Sequence, residues 1–133
     1  MTFHEDKPIY LQITDSIMDS IISREYPPDS RLPSVREYAA KVEVNANTVM
    51  RSYDWLQHHS IIFNKRGIGF FVLPEARRII IEMRREKFFK EEADYFFNRL
   101  VSFGFSPNEV AGLYKDFLEN KTLSIPNTKT DSI

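Results

Sequence analysis

Apolar residues recur at helical spacing near the start of the chain. Pro8 suits the first turn of a helix that runs to about Arg24. Its predicted core-facing stripe has an isoleucine at every fourth position: Ile9, Ile13, Ile17 and Ile21. The segment from Tyr26 to Pro33 holds three prolines and predicts a break after this helix.

Capping signals then predict two short helices joined by a turn. The Ser34 hydroxyl can accept a hydrogen bond from the Glu37 amide while the Glu37 carboxylate returns to the Ser34 amide, which is a capping box. A helix to about Lys41 should follow. Asn45 can cap a third helix whose buried side is Val49, Tyr53 and Leu56. Two short helices at this spacing predict a helix-turn-helix.

A β-hairpin is predicted directly after the third helix. Two apolar runs flank the sequence NKRGIG between Ile61 and Val72, and its glycines, Gly67 and Gly69, can adopt positive φ. A hairpin in this position is a wing. Pro74 marks the expected end of the domain.

The remaining chain predicts a helical hairpin. A long helix from about Glu75 to Gly104 has apolar residues at spacings of four and three: Phe89, Ala93, Phe96, Leu100 and Phe103. Ser106, Pro107 and Glu109 provide start signals for a final helix. Its apolar face comprises Val110, Leu113, Tyr114, Phe117 and Leu118.

The predicted fold class is therefore mostly α with a small β-hairpin. It consists of a winged helix-turn-helix domain over residues 7–74 and a C-terminal helical hairpin for dimerisation over residues 75–120. The polar tail, residues 121–133, is predicted to be disordered.

Composition excludes several classes of function. The 133 residues include no cysteine, which rules out disulfides, thiolate zinc sites and cysteine nucleophiles. No apolar run approaches a membrane span and the N-terminus lacks signal-peptide features, so a cytoplasmic protein is expected. The net charge of −1 argues mildly against nucleic acid, whose binders tend to be basic. Any case for DNA therefore depends on where the basic residues lie.

The third helix carries candidate DNA-reading residues on its outward side. Asn47, Thr48 and Arg51 are expected near its N-terminal half, where a recognition helix meets base edges. Asparagine can read adenine, and arginine can read guanine or hold phosphate. Asn45 is expected to act as a cap more than as a reader. A solvated helix face is the alternative, since Asp54 on the same helix would repel phosphate.

The wing carries a second candidate set. Lys65 and Arg66 would reach the flanking DNA backbone or minor groove, while Gly67 and Gly69 allow close approach. A solvated hairpin tip is the alternative here, because loop tips are usually polar.

Three ordered motifs resemble the GntR family of bacterial winged-helix regulators. They are PIYLQI, SRLPSVREYAAKVEVNANTVMRSYDWL and KRGIGFFV, and they span residues 7–73. The wording NTVMRSY and the short two-helix extension resemble the YtrA subgroup. The resemblance implies a homodimeric, repressor-type regulator, often of transporter genes, that binds a palindromic operator.

The resemblance also implies site residues. Arg36 matches a phosphate- or base-contacting arginine, the start of NANTVMR matches the reading end of the recognition helix, and the KRGIG turn matches the wing tip. Ala46 and Met50 stand where many relatives have arginine, which leaves the base preference open. The candidate DNA-binding residues are Arg31, Ser34, Arg36, Asn45, Asn47, Thr48, Arg51, Lys65, Arg66, Gly67 and Gly69.

Self-association is expected from an excess of apolar surface after Pro74, which includes Ile79 and Met83. The candidate dimerisation residues are Phe89, Phe96, Leu100, Leu113 and Phe117. The expected partners are double-stranded DNA and a second copy of the chain, with no cofactor, metal or membrane. A small-molecule effector is left open, and its site would lie between the domains or across the dimer.

Two other functional classes compete with this interpretation. The winged helix could be a scaffold for a protein-interaction module that binds no DNA. Some relatives fuse this domain to a pyridoxal-phosphate enzyme, but the residues after the wing show no nucleophile, metal or phosphate motif. His58 and His59 are adjacent and so project in different directions, which favours surface residues over a metal site.

Overall fold

The computed structural model describes residues 1–120, and within them it contains six helices and one antiparallel hairpin. The predicted fold class is confirmed in its mostly helical content and in its wing. The predicted tail lies outside the described residues. In chain order the elements are α1 (Ile9–Ile22), α2 (Val35–Val42), α3 (Ala46–His58), β1 (Ile62–Lys65), β2 (Gly69–Val72), α4 (Ala76–Glu91), α5 (Ala93–Ser102) and α6 (Pro107–Asn120).

Contacts divide the chain into one unit over Met1–Lys87 and a second unit that begins at Phe88. The first unit therefore includes most of α4 in addition to the winged helix. The predicted division of roles, with DNA binding before Pro74 and dimerisation after it, remains a prediction.

The core of the first unit is built on the isoleucine stripe of α1. Ile13, Ile17 and Ile21 are buried, whereas Ile9, at the first residue of the helix, is 43% exposed. The stripe meets the predicted buried side of α3 and the inner residues of the wing: Val49, Tyr53, Leu56, Ile61, Ile62 and Val72. Burying one such aliphatic or aromatic side chain contributes about 1.5–3 kcal/mol. This core fixes the position of α3.

The first turns of α4 pack against the same core. Ala76 and Ile80 are buried in it, and Ile79 and Met83 cover its edge. Ile79 and Met83 were counted in the excess of apolar surface after Pro74, and the first unit already covers part of both side chains.

The long helix predicted from about Glu75 to Gly104 is interrupted. Glu92 leaves the helical conformation, with φ −127° and ψ −30°, so α4 ends at Glu91 and α5 begins at Ala93. Lys90 in the last turn of α4 and Asp94 in the first turn of α5 each suit the dipole of the terminus at which they lie. The apolar spacing runs on through the break, which is why the sequence pattern did not reveal it. The predicted two-helix hairpin is three helices.

Candidate nucleic-acid interface

Ser34 positions α2 through the predicted capping box. The Glu37 amide donates to the Ser34 Oγ at 3.1 Å, and the Ser34 amide donates to the Glu37 Oε1 at 2.8 Å. Hydrogen bonding of the Glu37 carboxylate to the Ser34 backbone amide first, and then to the Ser34 side chain, lowers the pKa of the Glu37 carboxyl. Arg36 lies exposed on this first turn. Ser34 thus holds the helix start that presents Arg36.

The turn of the helix-turn-helix has three residues, and the first and the last of them differ in backbone conformation. Glu43 ends α2 in the left-handed region at φ 58°, and the Val44 amide donates to the Ala39 carbonyl at 3.0 Å. Asn45 is extended, and its Oδ1 accepts from the Asn47 amide at 2.7 Å. Asn45 therefore caps α3, and its side-chain oxygen is engaged in doing so.

The outward face of α3 carries the predicted readers. Asn47 and Arg51 are exposed and Thr48 is half-buried, while Val49 on the opposite side is fully buried. Asp54 is exposed one turn further along. The face is therefore polar and open, with an acid toward its C-terminal end.

Arg51 has a neighbour that the sequence did not predict. Its guanidinium carbon lies 4.0 Å from the centre of the Tyr10 ring, at the start of α1. The next residue, Ser52, is buried and donates from Oγ to the Tyr10 carbonyl oxygen at 2.7 Å. Tyr10 stands in the motif PIYLQI, so the family resemblance was the one signal that pointed to it.

Tyr53 joins α3 to the rest of the domain from the buried side. Its hydroxyl donates to the Pro33 carbonyl at 2.6 Å, and its ring meets that of Phe70 edge-to-face at a centroid distance of 5.0 Å. Burial raises the pKa of Tyr53, so the phenol stays protonated as a donor. One side chain thereby ties α3 to both α2 and the wing.

The wing tip is a three-residue turn. Lys65 pairs with Gly69 across the hairpin, and the Ile68 amide closes the turn on the Lys65 carbonyl at 2.9 Å. Gly67 provides the required positive φ of 79°. Lys65 and Arg66 are exposed. The tip therefore presents two cations on a compact turn.

The segment before α2 runs alongside β2 and makes backbone hydrogen bonds to it. The Leu32 amide donates to the Phe70 carbonyl at 2.8 Å, and Arg31 forms a bridge with Phe71. The Arg31 side chain passes so close to Gly69 that a Cβ there would lie 2.7 Å from Nε. Arg31 and the wing are thus brought together, although they are far apart in sequence.

The second unit presents the predicted dimerisation residues at its surface. Phe89, Phe96 and Phe117 are 61%, 48% and 42% exposed, while Leu100 and Leu113 are half-buried. Further large apolar side chains are exposed among the described residues of this unit: Tyr95, Phe97, Val101, Phe103, Tyr114 and Leu118.

The histidine pair shows no metal site. Within residues 1–120 no group of three or more histidine, cysteine, aspartate or glutamate residues could hold a metal ion. The His59 ring instead stacks on the Trp55 ring, with 3.7 Å between the ring centroids. Its Nδ1 donates a hydrogen bond to the Trp55 carbonyl oxygen at 2.9 Å. Over the same residues, no helix is long and apolar enough to cross a bilayer.

Comparison with known proteins identifies the family. The profile described as "Bacterial regulatory proteins, gntR family" matches residues 9–72. A crystal structure of a protein assigned to the GntR family from Bacteroides thetaiotaomicron is 48% identical, covers 86% of this chain and 99% of its own, and superposes with a TM-score of 0.69. The chain belongs to the GntR family. A GntR-family regulator from Listeria monocytogenes, 32% identical with a TM-score of 0.67, covers 86% of this chain and 98% of its own.

Two relatives from Bacillus subtilis refine the place within the GntR family. The HTH-type regulator YhcF is 34% identical over 88% of this chain and 95% of its own length. The HTH-type repressor YtrA is 35% identical over 56% of this chain and 58% of its own length. The match to YtrA supports the predicted subgroup. The relatives are transcription regulators rather than enzymes.

Proposed function

We propose that the protein is a repressor that binds an inverted-repeat operator as a homodimer, with α3 in the major groove and the wing beside it. The single observation that supports this most is the outward face of α3. Asn47 and Arg51 are exposed there on a helix whose other side is fully buried. A rigid helix with polar side chains on its N-terminal half is the geometry that major-groove readers use.

The distribution of charge supports DNA as the ligand despite the net charge of −1. Six exposed basic residues lie on the helix-turn-helix, the segment before it and the wing, and none of them makes an ion pair within residues 1–120: Arg31, Arg36, Lys41, Arg51, Lys65 and Arg66. Other basic residues, such as Arg78 and Arg84, are paired with acids. Exposed cations without an ion pair also lie outside the predicted interface, Arg24 and Arg85 among them, so it is the position of the unpaired cations on the helix-turn-helix and the wing that supports DNA as the ligand.

The roles differ among these residues. Asn47, whose backbone amide bonds to the Asn45 side chain, keeps its own side chain for a base edge. Arg36 and the wing cations Lys65 and Arg66 contact phosphates, which set affinity without reading sequence.

A second copy of the chain is the proposed cover for the apolar surface of the second unit. Exposed patches of this kind usually mark a partner site, and Phe89, Phe96 and Phe117 are each more than two-fifths exposed. A two-fold dimer would place two α3 helices on half-sites related by the same symmetry. The repressor name of the relative YtrA supports the direction of control. The proposed site of action is the cytoplasm, where DNA is accessible.

The experiment is a gel shift of the pure protein on mixed genomic fragments across a salt series. If a dimer makes about 6–10 phosphate contacts, affinity falls about 10³–10⁵-fold between about 50 and 200 mM salt. A protein-interaction module on a winged-helix scaffold predicts no salt-sensitive DNA binding at all, and that result would replace the present proposal.

A further inference from the structure

Arg51 and Tyr10 form a stacked pair at the edge of the recognition helix. The guanidinium carbon lies 4.0 Å from the ring centre, well within the distance of about 6 Å at which such pairs attract. Arg51 is exposed and Tyr10 is half-buried. The ring therefore provides a partly sheltered platform under an otherwise free cation.

The platform itself is anchored to the helix that carries Arg51. The Tyr10 carbonyl accepts from the Ser52 Oγ at 2.7 Å and from the Thr14 Oγ1 at 2.8 Å. Two consecutive residues of α3 therefore contact Tyr10: Arg51 contacts its ring and Ser52 bonds to its carbonyl. This double attachment fixes the ring relative to the backbone of α3.

Arg51 stacks on Tyr10 although an acid that could pair with it, Asp54, lies on the same helix. Asp54 lies three residues after Arg51, a spacing at which arginine and aspartate commonly pair. No ion pair joins them, and within residues 1–120 no hydrogen bond engages the Arg51 guanidinium. The guanidinium thus lies on the Tyr10 ring and is not in an ion pair with Asp54.

A stacked guanidinium keeps its donors. All five N–H groups lie in the plane of the group, so a ring that covers one face leaves the edges available to an acceptor. Phosphate oxygens match this geometry in two parallel bonds, as the O6 and N7 of guanine also do, and binding to a mixed-sequence duplex reports the phosphate contact. The side chain is also ordered before it binds, which removes part of the entropic cost of binding.

We infer that Tyr10 is a positioning residue that holds Arg51 edge-on for a DNA phosphate, so that the first turn of α1 is part of the DNA interface. This inference rests on the proposed function and names a determinant within it. Tyr10 acts through Arg51, by the face of its ring.

The test compares single and double variants on a mixed-sequence DNA duplex across a salt series. Removal of the ring in Tyr10→Leu should weaken binding about 3- to 30-fold, the range expected for a cation–π contact. The salt slope, which is the slope of the logarithm of the binding constant against the logarithm of the salt concentration, should become shallower in both Tyr10→Leu and Arg51→Ala. The change should be about 0.9 for each phosphate that the protein no longer neutralises. The double variant should bind no more weakly than Arg51→Ala alone, and Tyr10→Phe, which keeps the ring, should match the wild type.

Further measurements separate positioning from folding. The Arg51 Nε–H resonance of the free protein should show a ring-current shift that disappears in Tyr10→Leu while the thermal midpoint is kept. If leucine unfolds the domain, Tyr10→Met gives an unbranched replacement for the same comparison. Adding Asp54→Ala to Tyr10→Leu should restore most of the missing affinity.

Three results would overturn the inference. The first is an additive loss of DNA affinity in the double variant, and the second is an unchanged salt slope in Tyr10→Leu. The third is a loss of affinity in Tyr10→Phe as large as that in Tyr10→Leu, which would mean that the hydroxyl contacts DNA directly. A wild-type protein that binds no duplex would refute the proposed function and this inference with it.

Discussion

The hydroxyl of Tyr53 donates a 2.6 Å hydrogen bond to the carbonyl oxygen of Pro33. Tyr53 is at the centre of α3, and Pro33 immediately precedes the Ser34 cap of α2. The bond therefore runs from the buried side of one helix of the helix-turn-helix to the start of the other. It sets how Arg36 on α2 and Asn47 on α3 are presented together.

Replacing Tyr53 with phenylalanine removes this bond and leaves the ring in place. Because the Pro33 carbonyl then has no donor, we expect the free energy of unfolding to fall by about 1–3 kcal/mol. Chemical denaturation measures the change. Tyr95→Phe is the control, since Tyr95 is exposed and removing its hydroxyl should change nothing measurable. Equal stability of the two variants would show that the bond does not hold α3.

Two wing glycines give a matched pair for testing the Arg31 contact. Both have positive φ, 79° at Gly67 and 142° at Gly69, so alanine is strained at either position. At Gly69 the new Cβ would also lie 2.7 Å from the Arg31 Nε, whereas at Gly67 it meets nothing within 4 Å. Gly69→Ala should therefore weaken DNA binding more than Gly67→Ala, as measured by fluorescence anisotropy. The reverse order would mean that Arg31 can move aside without consequence.

Arg36 and Asn47 should separate affinity from specificity. Arg36→Ala should weaken binding to a retained genomic fragment and to mixed-sequence DNA alike, because a phosphate contact carries no sequence information. Asn47→Ala should cost about 1–3 kcal/mol on the retained fragment only. Titrations of each variant on both DNAs give the comparison. Small and equal losses throughout would remove both residues from the interface.

A charge on the apolar surface of the second unit should disrupt self-association. Phe96 is 48% exposed and touches the rings of Phe88 and Phe97, so Phe96→Asp should give monomers that bind a half-site weakly. Asn98→Asp adds the same charge at an exposed polar position of α5 and should stay dimeric. Sedimentation velocity distinguishes the two. A wild-type monomer, or a dimeric Phe96→Asp, would contradict this surface as the dimer contact.

Local signals predicted most of the first unit. The capping box at Ser34, the Asn45 cap and the glycine turn of the wing each depend on residues close in sequence, and each appears in the structure. Contacts across the fold were not predictable in this way. The approach of Arg31 to Gly69 depends on tertiary packing, so neither residue's neighbours in the sequence reveal it.

The same distinction explains what was missed in the helices. The break at Glu92 has no glycine or proline, and apolar spacing alone does not record backbone conformation. Arg51 was predicted on the outward face, but its partner Tyr10 is on a different helix. Of the candidate site, the outward face was predictable, and the way it is held in place was not.

The most direct test of the central claim is to sequence the genomic DNA fragments that the pure wild-type protein retains. The proposed dimer predicts enrichment of an inverted repeat, with half-site centres separated by about one helical turn, roughly 10 base pairs, or a multiple of it. Retention without any shared sequence, or enrichment of a single unrepeated site, would contradict a homodimeric operator-binding repressor.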